Sequence, residues 1–365
     1  MTERIRLPSS MSAVVMREFG GPEVLRVERV ATPSPRTGEV IVRVAAVEVS
    51  RTRDSATRSG NHPFSRMVEL PHILGGHFAG TVASVGSGVD PEWIGRRVGV
   101  MNYRPCTRCE RCRAGAPEDC ARPDILGINW WGSYAQFAAV PVTALHHVPE
   151  DLDLVEAAAL AATGPVALAQ LRAAGAEQGK TILITGITGA LGSVIAELGI
   201  ALGAHLVGLS RRPDALRGRV SLAVVDANAP DLGAAISAST GGIAPHAVID
   251  NVCAPDVFMG YWPILGSGAR VVISGAIGNP ELPVLPVPAR DLYSRNLSIL
   301  GVRSHSADTA HEFWDFVRSG FRLRQDLIQE YALEDARAAH LAIQDGSSMG
   351  HTVLRVGTAG STVIA

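Results

Sequence analysis

Residues 181–212 read TILITGITGALGSVIAELGIALGAHLVGLSRR. Thr181–Thr185 is short, apolar and β-branched, the composition of a parallel strand buried on both faces. The segment Gly186-Ile187-Thr188-Gly189-Ala190-Leu191-Gly192 turns the chain, and Leu191, Val194, Ile195, Leu198 and Leu202 then recur at helical spacing. Gly203 ends that helix, and His205–Ser210 reads as a second strand. Strand, glycine turn, helix and strand make a dinucleotide-binding unit. One glycine allows the tight turn, one lets backbone N–H groups approach a pyrophosphate, and one lets the helix pack on the strand. The helix N-terminus adds partial positive charge. The spacing is GxxGxxG, so the flanking strand and helix, more than the glycines alone, carry this reading.

The end of the second strand selects the cofactor. A unit for NAD places Asp or Glu there to accept from the ribose 2′-OH, whereas this chain has Ser210-Arg211-Arg212. Two guanidiniums stand where a 2′-phosphate would sit and suit bidentate contacts to it, so NADPH is the expected cofactor. A solvated arginine pair on a loop is the plainer alternative.

At 365 residues the chain is long enough for two domains, each with its own core. A hydrophobic fraction of 47%, a charged fraction of 19% and a net charge of -2 describe an ordinary globular protein and give no basis for nucleic acid or a membrane surface as partner. No uninterrupted apolar run is long enough to span a bilayer, and MTERIRLPSS at the N-terminus lacks the apolar core of a signal peptide, so a cytoplasmic enzyme is expected. Lys180 is the only lysine.

Before the dinucleotide unit the chain is rich in strands and turns: Ser12–Met16, Val24–Val30, Val40–Val47, Leu74–Val85 and Trp93–Val100. Cys106-Thr107-Arg108-Cys109-Glu110-Arg111-Cys112 follows, with Cys120 after seven residues. Four thiols at this spacing can close a tetrahedral thiolate site around zinc, and four ligands leave no open position, so such a zinc is structural. A reduced loop or two disulfides are the alternatives. Trp130-Trp131-Gly132-Ser133-Tyr134 either walls a substrate pocket or belongs to the core. Val155–Ala174 reads as an alanine-rich helix broken at Gly164-Pro165.

Beyond Arg212, Leu222–Asp226, Ala247–Val252, Arg270–Gly275 and Leu297–Val302 read as further buried strands of a doubly wound parallel sheet. Asn251-Val252, Gly275-Ala276 and Val302-Arg303 fall at carboxyl ends of strands, where ligands of open α/β sheets bind, and with Gly186, Thr188, Gly189, Ala190, Leu191, Gly192, Ser210, Arg211 and Arg212 they are the expected cofactor contacts. Ala310–Ser319 and Leu333–Asp345 read as helices and His351–Val356 as a strand that returns to the first domain.

From Ser12 to about Val356 the chain resembles the medium-chain dehydrogenase/reductase superfamily, the zinc alcohol dehydrogenase and quinone oxidoreductase group. PHILGGHFAGTVASVGSGV (71–89), the cysteine loop (106–120), EAAALAATGPVA (156–167) and the glycine turn carry the resemblance. It implies an α/β chain with a β-rich GroES-like catalytic domain, residues 1–160 and 297–365, and an inserted Rossmann domain with a doubly wound parallel sheet, residues 161–296. It also implies a small-molecule substrate and a homodimer, since members often pair the edge strands of their nucleotide domains.

The departures from the family pattern bear on mechanism. The resemblance implies a catalytic zinc held by Cys, His and Cys, but the matching positions here are Ser50 or Arg51, then Gly76, then Ala162. Glycine and alanine offer no donor atom, so these positions cannot rebuild the metal site. Zinc-free relatives, the quinone oxidoreductases and enoyl reductases, reduce C=C bonds conjugated to a carbonyl: hydride reaches the β-carbon, donors hold the enolate oxygen, and an acid or water protonates the α-carbon. Many of them carry GxYP with a tyrosine proposed as proton donor, and here Gly60-Asn61-His62-Pro63 matches it. His62 is thus the first candidate acid, His77 beside the vacated ligand position the second, and Arg51 with Arg53 a candidate pair to hold a carbonyl or anion. A rebuilt metal site from His62, His72, His77 and Asp54 has no spacing precedent. The expectation is an NADPH-dependent reductase of an activated C=C bond with one structural Zn2+; a zinc-independent ketone or imine reductase and a non-catalytic NADPH-binding protein are the alternatives.

Overall fold

In the computed structural model, which describes residues 7–101, 103–216, 222–274, 284–303 and 306–357, Thr181–Thr185 (β1) is a buried strand at the centre of a parallel sheet. Its partners are β2 (His205–Ser210), β3 (Ala223–Asp226), β4 (Ala247–Asp250), β5 (Arg270–Ile273) and β6 (Ser298–Gly301), in the order β3-β2-β1-β4-β5-β6 and all parallel. That order is the doubly wound dinucleotide-binding arrangement, and its direction reverses between β1 and β4. The helix Ala190–Ala201 leaves the glycine turn and buries Val194, Ile195, Ala196 and Leu198.

The chain divides into two compact units, Met1–Ala162 with Trp314–Ala365, and Thr163–Phe313. The sequence reading returned the chain to the catalytic domain at residue 297. The structure keeps it in the nucleotide unit longer, because Ser298–Gly301 hydrogen-bonds along β5 as the sixth strand and the helix Ala307–Arg318 follows.

In the other unit, Glu39–Glu48 is the central strand. Phe78–Val85 lies antiparallel on one side of it and His351–Arg355 on the other, with Phe137–Pro141 also paired along its first half. Arg97–Val100, Leu145–His147 and Ile328–Ala332 complete a seven-stranded sheet. The strand Ile328–Ala332 has no counterpart in the sequence reading. Its burial alternates around charged Glu330, which pairs with Arg355 and masks the apolar pattern. Valine and isoleucine from these strands, with Met11, Met16, Phe78 and Tyr134, make the core.

Leu154–Ala174 is one continuous helix with Pro165 inside it, not the broken helix that Gly164-Pro165 suggests. Burial outweighs the lost N–H. A Cβ on Gly164 would fall 2.1 Å from Phe313 Cζ, so glycine there serves ring packing and not a break. By length and composition this helix could cross a membrane, but it is mostly buried within the protein.

Candidate functional site

The carboxyl edge of the parallel sheet collects those of the expected cofactor residues that are described. Gly186 has φ +67°, the left-handed turn that favours glycine. A Cβ on Gly192 would fall 2.3 Å from the Gly186 carbonyl oxygen and 2.8 Å from Ile187 Cα, so only glycine lets the helix sit this close to the turn. Gly189 caps that helix without a side-chain hydrogen bond. The free N–H groups of the first turn therefore face whatever anion binds there. Gly186, Thr188, Gly189, Ala190, Leu191 and Gly192 thus form a cradle that fits a pyrophosphate.

At the end of β2, Ser210 Oγ accepts from Arg212 N at 2.9 Å and shapes the loop. Arg211 and Arg212 are exposed, and neither guanidinium has an ion-pair partner among the described residues. At the end of β4, Asp250 Oδ1 accepts from Thr185 Oγ1 at 2.7 Å, Val252 N at 3.1 Å and Cys253 N at 2.9 Å, while Oδ2 accepts from Tyr261 Oη at 2.8 Å. These bonds fix the Asn251-Val252 turn. The Asn251 side chain is engaged with Gln170, donating at 3.3 Å and accepting at 2.9 Å. Val302 N donates to Ile273 O at 2.9 Å, which holds Val302 and Arg303 just past β6. Gly275 and Ala276 lie outside the described residues.

Cys106, Cys109, Cys112 and Cys120 bring their four sulfurs within 4.8 Å of one another. The 3.4 Å from Cys109 to Cys112 and 3.9 Å from Cys109 to Cys120 bracket the edge of about 3.8 Å that a tetrahedron of Zn–S bonds requires. They are far longer than a disulfide, and all four thiols are free. Backbone N–H groups of Cys106 and Arg122 donate to Cys120 Sγ at 3.2 and 3.4 Å, the support a thiolate ligand needs. The cluster fits one structural Zn2+.

Gly76, where the resemblance implies a metal ligand, faces the protein's own cation. Glu48 ends the central strand, its N–H bonded to His77 O at 2.8 Å, and Val49 N bonds Thr352 O at 2.8 Å. The chain then enters a single wide helical turn, Arg51–Ser55, capped by Ser50, whose Oγ accepts from Arg53 N. This turn points Arg53 at Gly76. A Cβ on Gly76 would lie 2.1 Å from Arg53 Nη1, so the guanidinium fills the space a histidine there would need. Its Nε and Nη2 face Asp54 at 3.4 and 3.3 Å. Asp54 is fully buried and accepts from Ser50 N at 2.8 Å and Gly75 N at 3.2 Å. Nη1 is buried without a hydrogen-bond partner.

The expected acids fall differently around this centre. His62 Nδ1 accepts from Phe64 N at 3.1 Å, which leaves the ring proton on Nε2. Burial and the nearby Arg53 charge lower its pKa to about 4, so the ring is neutral near pH 7 and is a poor proton donor. His77 lies 3.9 Å from Glu48 Oε2, while His351 Nδ1 and Glu48 Oε1 are 2.6 Å apart. Burial raises the pKa of the Glu48 carboxyl against the pull of His351 and Arg53. Arg51 is exposed and donates to the Ile343 carbonyl at the end of the helix Ala336–Gln344, so it caps a helix and does not share the site with Arg53.

Tyr134 is buried core and not a pocket wall. Arg58 Nη1 lies 3.2 Å from His340 Nδ1, and a guanidinium can only donate, so His340 Nε2–H donates to Tyr134 Oη at 3.0 Å. Burial and then the Arg58 charge hold His340 at about 3, and burial first of all pushes the Tyr134 phenol up. Trp131 keeps an exposed face and anchors its indole N–H on Pro71 O at 3.2 Å. Trp130 lies under the Arg104 guanidinium at 4.5 Å.

Sequence reasoning left three residues of this centre without a role: Glu48, Asp54 as the partner of Arg53, and His351. The signal for Asp54 was its adjacency to Arg53. Nothing local in the sequence links Glu48 to His351.

Comparisons with known proteins agree with this architecture. Residues 36–150 match the alcohol dehydrogenase GroES-like domain family and residues 190–319 the zinc-binding dehydrogenase family. A crystal structure of an NAD-dependent alcohol dehydrogenase superposes with a TM-score of 0.86 at 30% identity, covering 95% of this chain and 100% of that one. The geraniol dehydrogenase of Castellaniella defragrans is 30% identical over 93% of this chain and 96% of its own length. The NAD-dependent alcohol dehydrogenase of Sulfurisphaera tokodaii is 30% identical over 73% of this chain and 79% of its own.

Proposed function

The chain belongs to the zinc-binding alcohol dehydrogenase family of medium-chain dehydrogenases/reductases, an oxidoreductase family, and on that premise we propose that it is an NADPH-dependent reductase working without catalytic zinc. The observation that carries the reading is Arg53 standing against Gly76, with Ala162 at the third ligand position. A metal-bound carbonyl needs a Lewis acid; a site without one needs a substrate that is already electrophilic, such as an enone or a quinone.

Bound NADPH supplies the hydride. The glycine cradle of residues 186–192 would hold its pyrophosphate, and Arg211 and Arg212 its 2′-phosphate. Several relatives are named NAD-dependent, so the arginine pair is what favours NADPH here. The catalytic domain is formed by the first unit and the nucleotide domain is inserted in it. A homodimer, by analogy with the family, and a cytoplasmic location, from the lack of a signal-like apolar core in MTERIRLPSS, complete the reading.

Reduction of a ketone is the second reading, favoured by the alcohol dehydrogenase names of the relatives. Product analysis with NADPH deuterated at the transferred position, against enones, quinones, ketones and imines, separates the two. Label at the β-carbon of a saturated carbonyl product is expected; label at a carbinol carbon overturns the C=C reading.

A further inference from the structure

The following rests on the reductase reading and deepens it. We propose that Arg53 binds the substrate carbonyl oxygen through Nη1 and, for the α,β-unsaturated carbonyl substrates of that reading, stabilises it as an enolate.

Three observations converge on this atom. Nε and Nη2 of the guanidinium are committed to Asp54, and Asp54 is itself fixed by two backbone N–H groups. Nη1 is left buried and unpartnered, which is costly for a charged donor unless an acceptor arrives. It lies where a Gly76 side chain would start, the position the family gives to a metal ligand. A fixed cation thus replaces a metal cation as the electrophile.

The chemistry of the donor then sets what it can do for the substrate. A guanidinium does not lose its proton, so it can hold an oxyanion but cannot protonate one. Ketone reduction leaves an alkoxide that must take a proton on oxygen. Conjugate reduction leaves an enolate that takes its proton on carbon. The substrate β-carbon gains hydride with both electrons from the dihydronicotinamide, the C=C π pair moves to give the enolate, and a solvent proton closes the α-carbon while the cofactor is left oxidised.

The titratable groups around the guanidinium are His62, Glu48, His77, His351, Tyr134 and Asp54. His62 is neutral near pH 7. Glu48 faces His351 and His77. Tyr134 accepts from His340, and Asp54 faces Arg53.

The test uses the full zinc-loaded chain with NADP+ and 4-nitrophenol as enolate analogue, following the visible phenolate band. Bound nitrophenol should ionise at lower pH than the free phenol. Arg53→Gln should weaken phenolate binding by ~10–100-fold, and Arg53→Lys, which keeps the charge without the fork, should recover part of it. Circular dichroism and NADP+ affinity report whether each variant is folded. Wild-type binding in folded Arg53→Gln overturns the role of Arg53 and leaves the reductase reading standing. In the activity arm, reduction of an enone in D2O should place solvent deuterium on the α-carbon. Label from the cofactor on a carbinol carbon overturns the substrate class. Phenolate binding that depends on Arg53, with no turnover of any enone, quinone, ketone or imine, keeps the anion site and overturns the reductase reading.

Discussion

Arg53 and Gly76 share one volume: a Cβ on Gly76 would fall 2.1 Å from Arg53 Nη1 and 2.7 Å from the Leu126 carbonyl oxygen. Restoring the family histidine by Gly76→His must therefore displace a buried ion pair. We expect a loss on the order of 1–3 kcal/mol in urea melts, the range for overpacking a filled site. Elemental analysis of the variant should still give one zinc per chain; two would show that the catalytic position accepts metal.

Cofactor choice should follow the end of β2. Replacing Arg211 and Arg212 with alanine removes up to two charge-assisted phosphate contacts, and NADPH affinity should fall by ~10–100-fold while NADH affinity stays as it was. Fluorescence titration of both cofactors checks this. Equal weakening for NADH would place the arginines elsewhere than on the 2′-phosphate.

Acid should destabilise the catalytic unit through its histidines. His340 is held at about 3 and His62 at about 4, both below the ordinary imidazole value of 6.5. Between those values and 6.5 the unfolded chain binds protons that the folded one refuses. Stability present above pH ~6.5 is thus lost as pH falls through the window, by up to ~1.4 kcal/mol per pH unit for buried His340 and less for half-buried His62. Urea melts of His340→Asn should show a shallower slope from neutral pH to about pH 4.5 than the parent; an unchanged slope removes His340 from the account.

The zinc lobe should be separable from cofactor binding. Chelation, or Cys109→Ser, should release the single zinc and lower the melting temperature, with early proteolysis between Cys106 and Cys120. NADPH affinity should be unchanged, because the nucleotide unit is a compact unit of its own. A parallel loss of NADPH binding would contradict that independence.

The glycine turn, the strand alternation and the cysteine spacing were legible because each is local: the residues that act together are neighbours in sequence. Gly76 and Ala162 were read as missing ligands only through the resemblance, motif by motif. What filled the gap was not legible. Arg51 and Arg53 look alike in sequence, and the wide turn at Arg51–Ser55 decides which faces Gly76. His62 looked like an acid because it takes the tyrosine position of the GxYP pattern; its partial burial and the Arg53 charge emerge only on folding. The Glu48–His351 contact joins the two ends of the chain, and no window of sequence contains both.

The strand His351–Arg355 lies inside the catalytic sheet, between Glu39–Glu48 and Ile328–Ala332. During synthesis Phe137–Pro141 can pair with the first half of Glu39–Glu48, but the second half waits until His351–Arg355 is made. The nucleotide sheet, contiguous from Thr181 to Gly301, has all its strands by then. The strands of the nucleotide sheet thus precede the residue that Glu48 meets, His351. A chain cleaved before His351 keeps its cofactor platform and loses that partner, so damage near the C-terminus should yield a nucleotide binder without turnover.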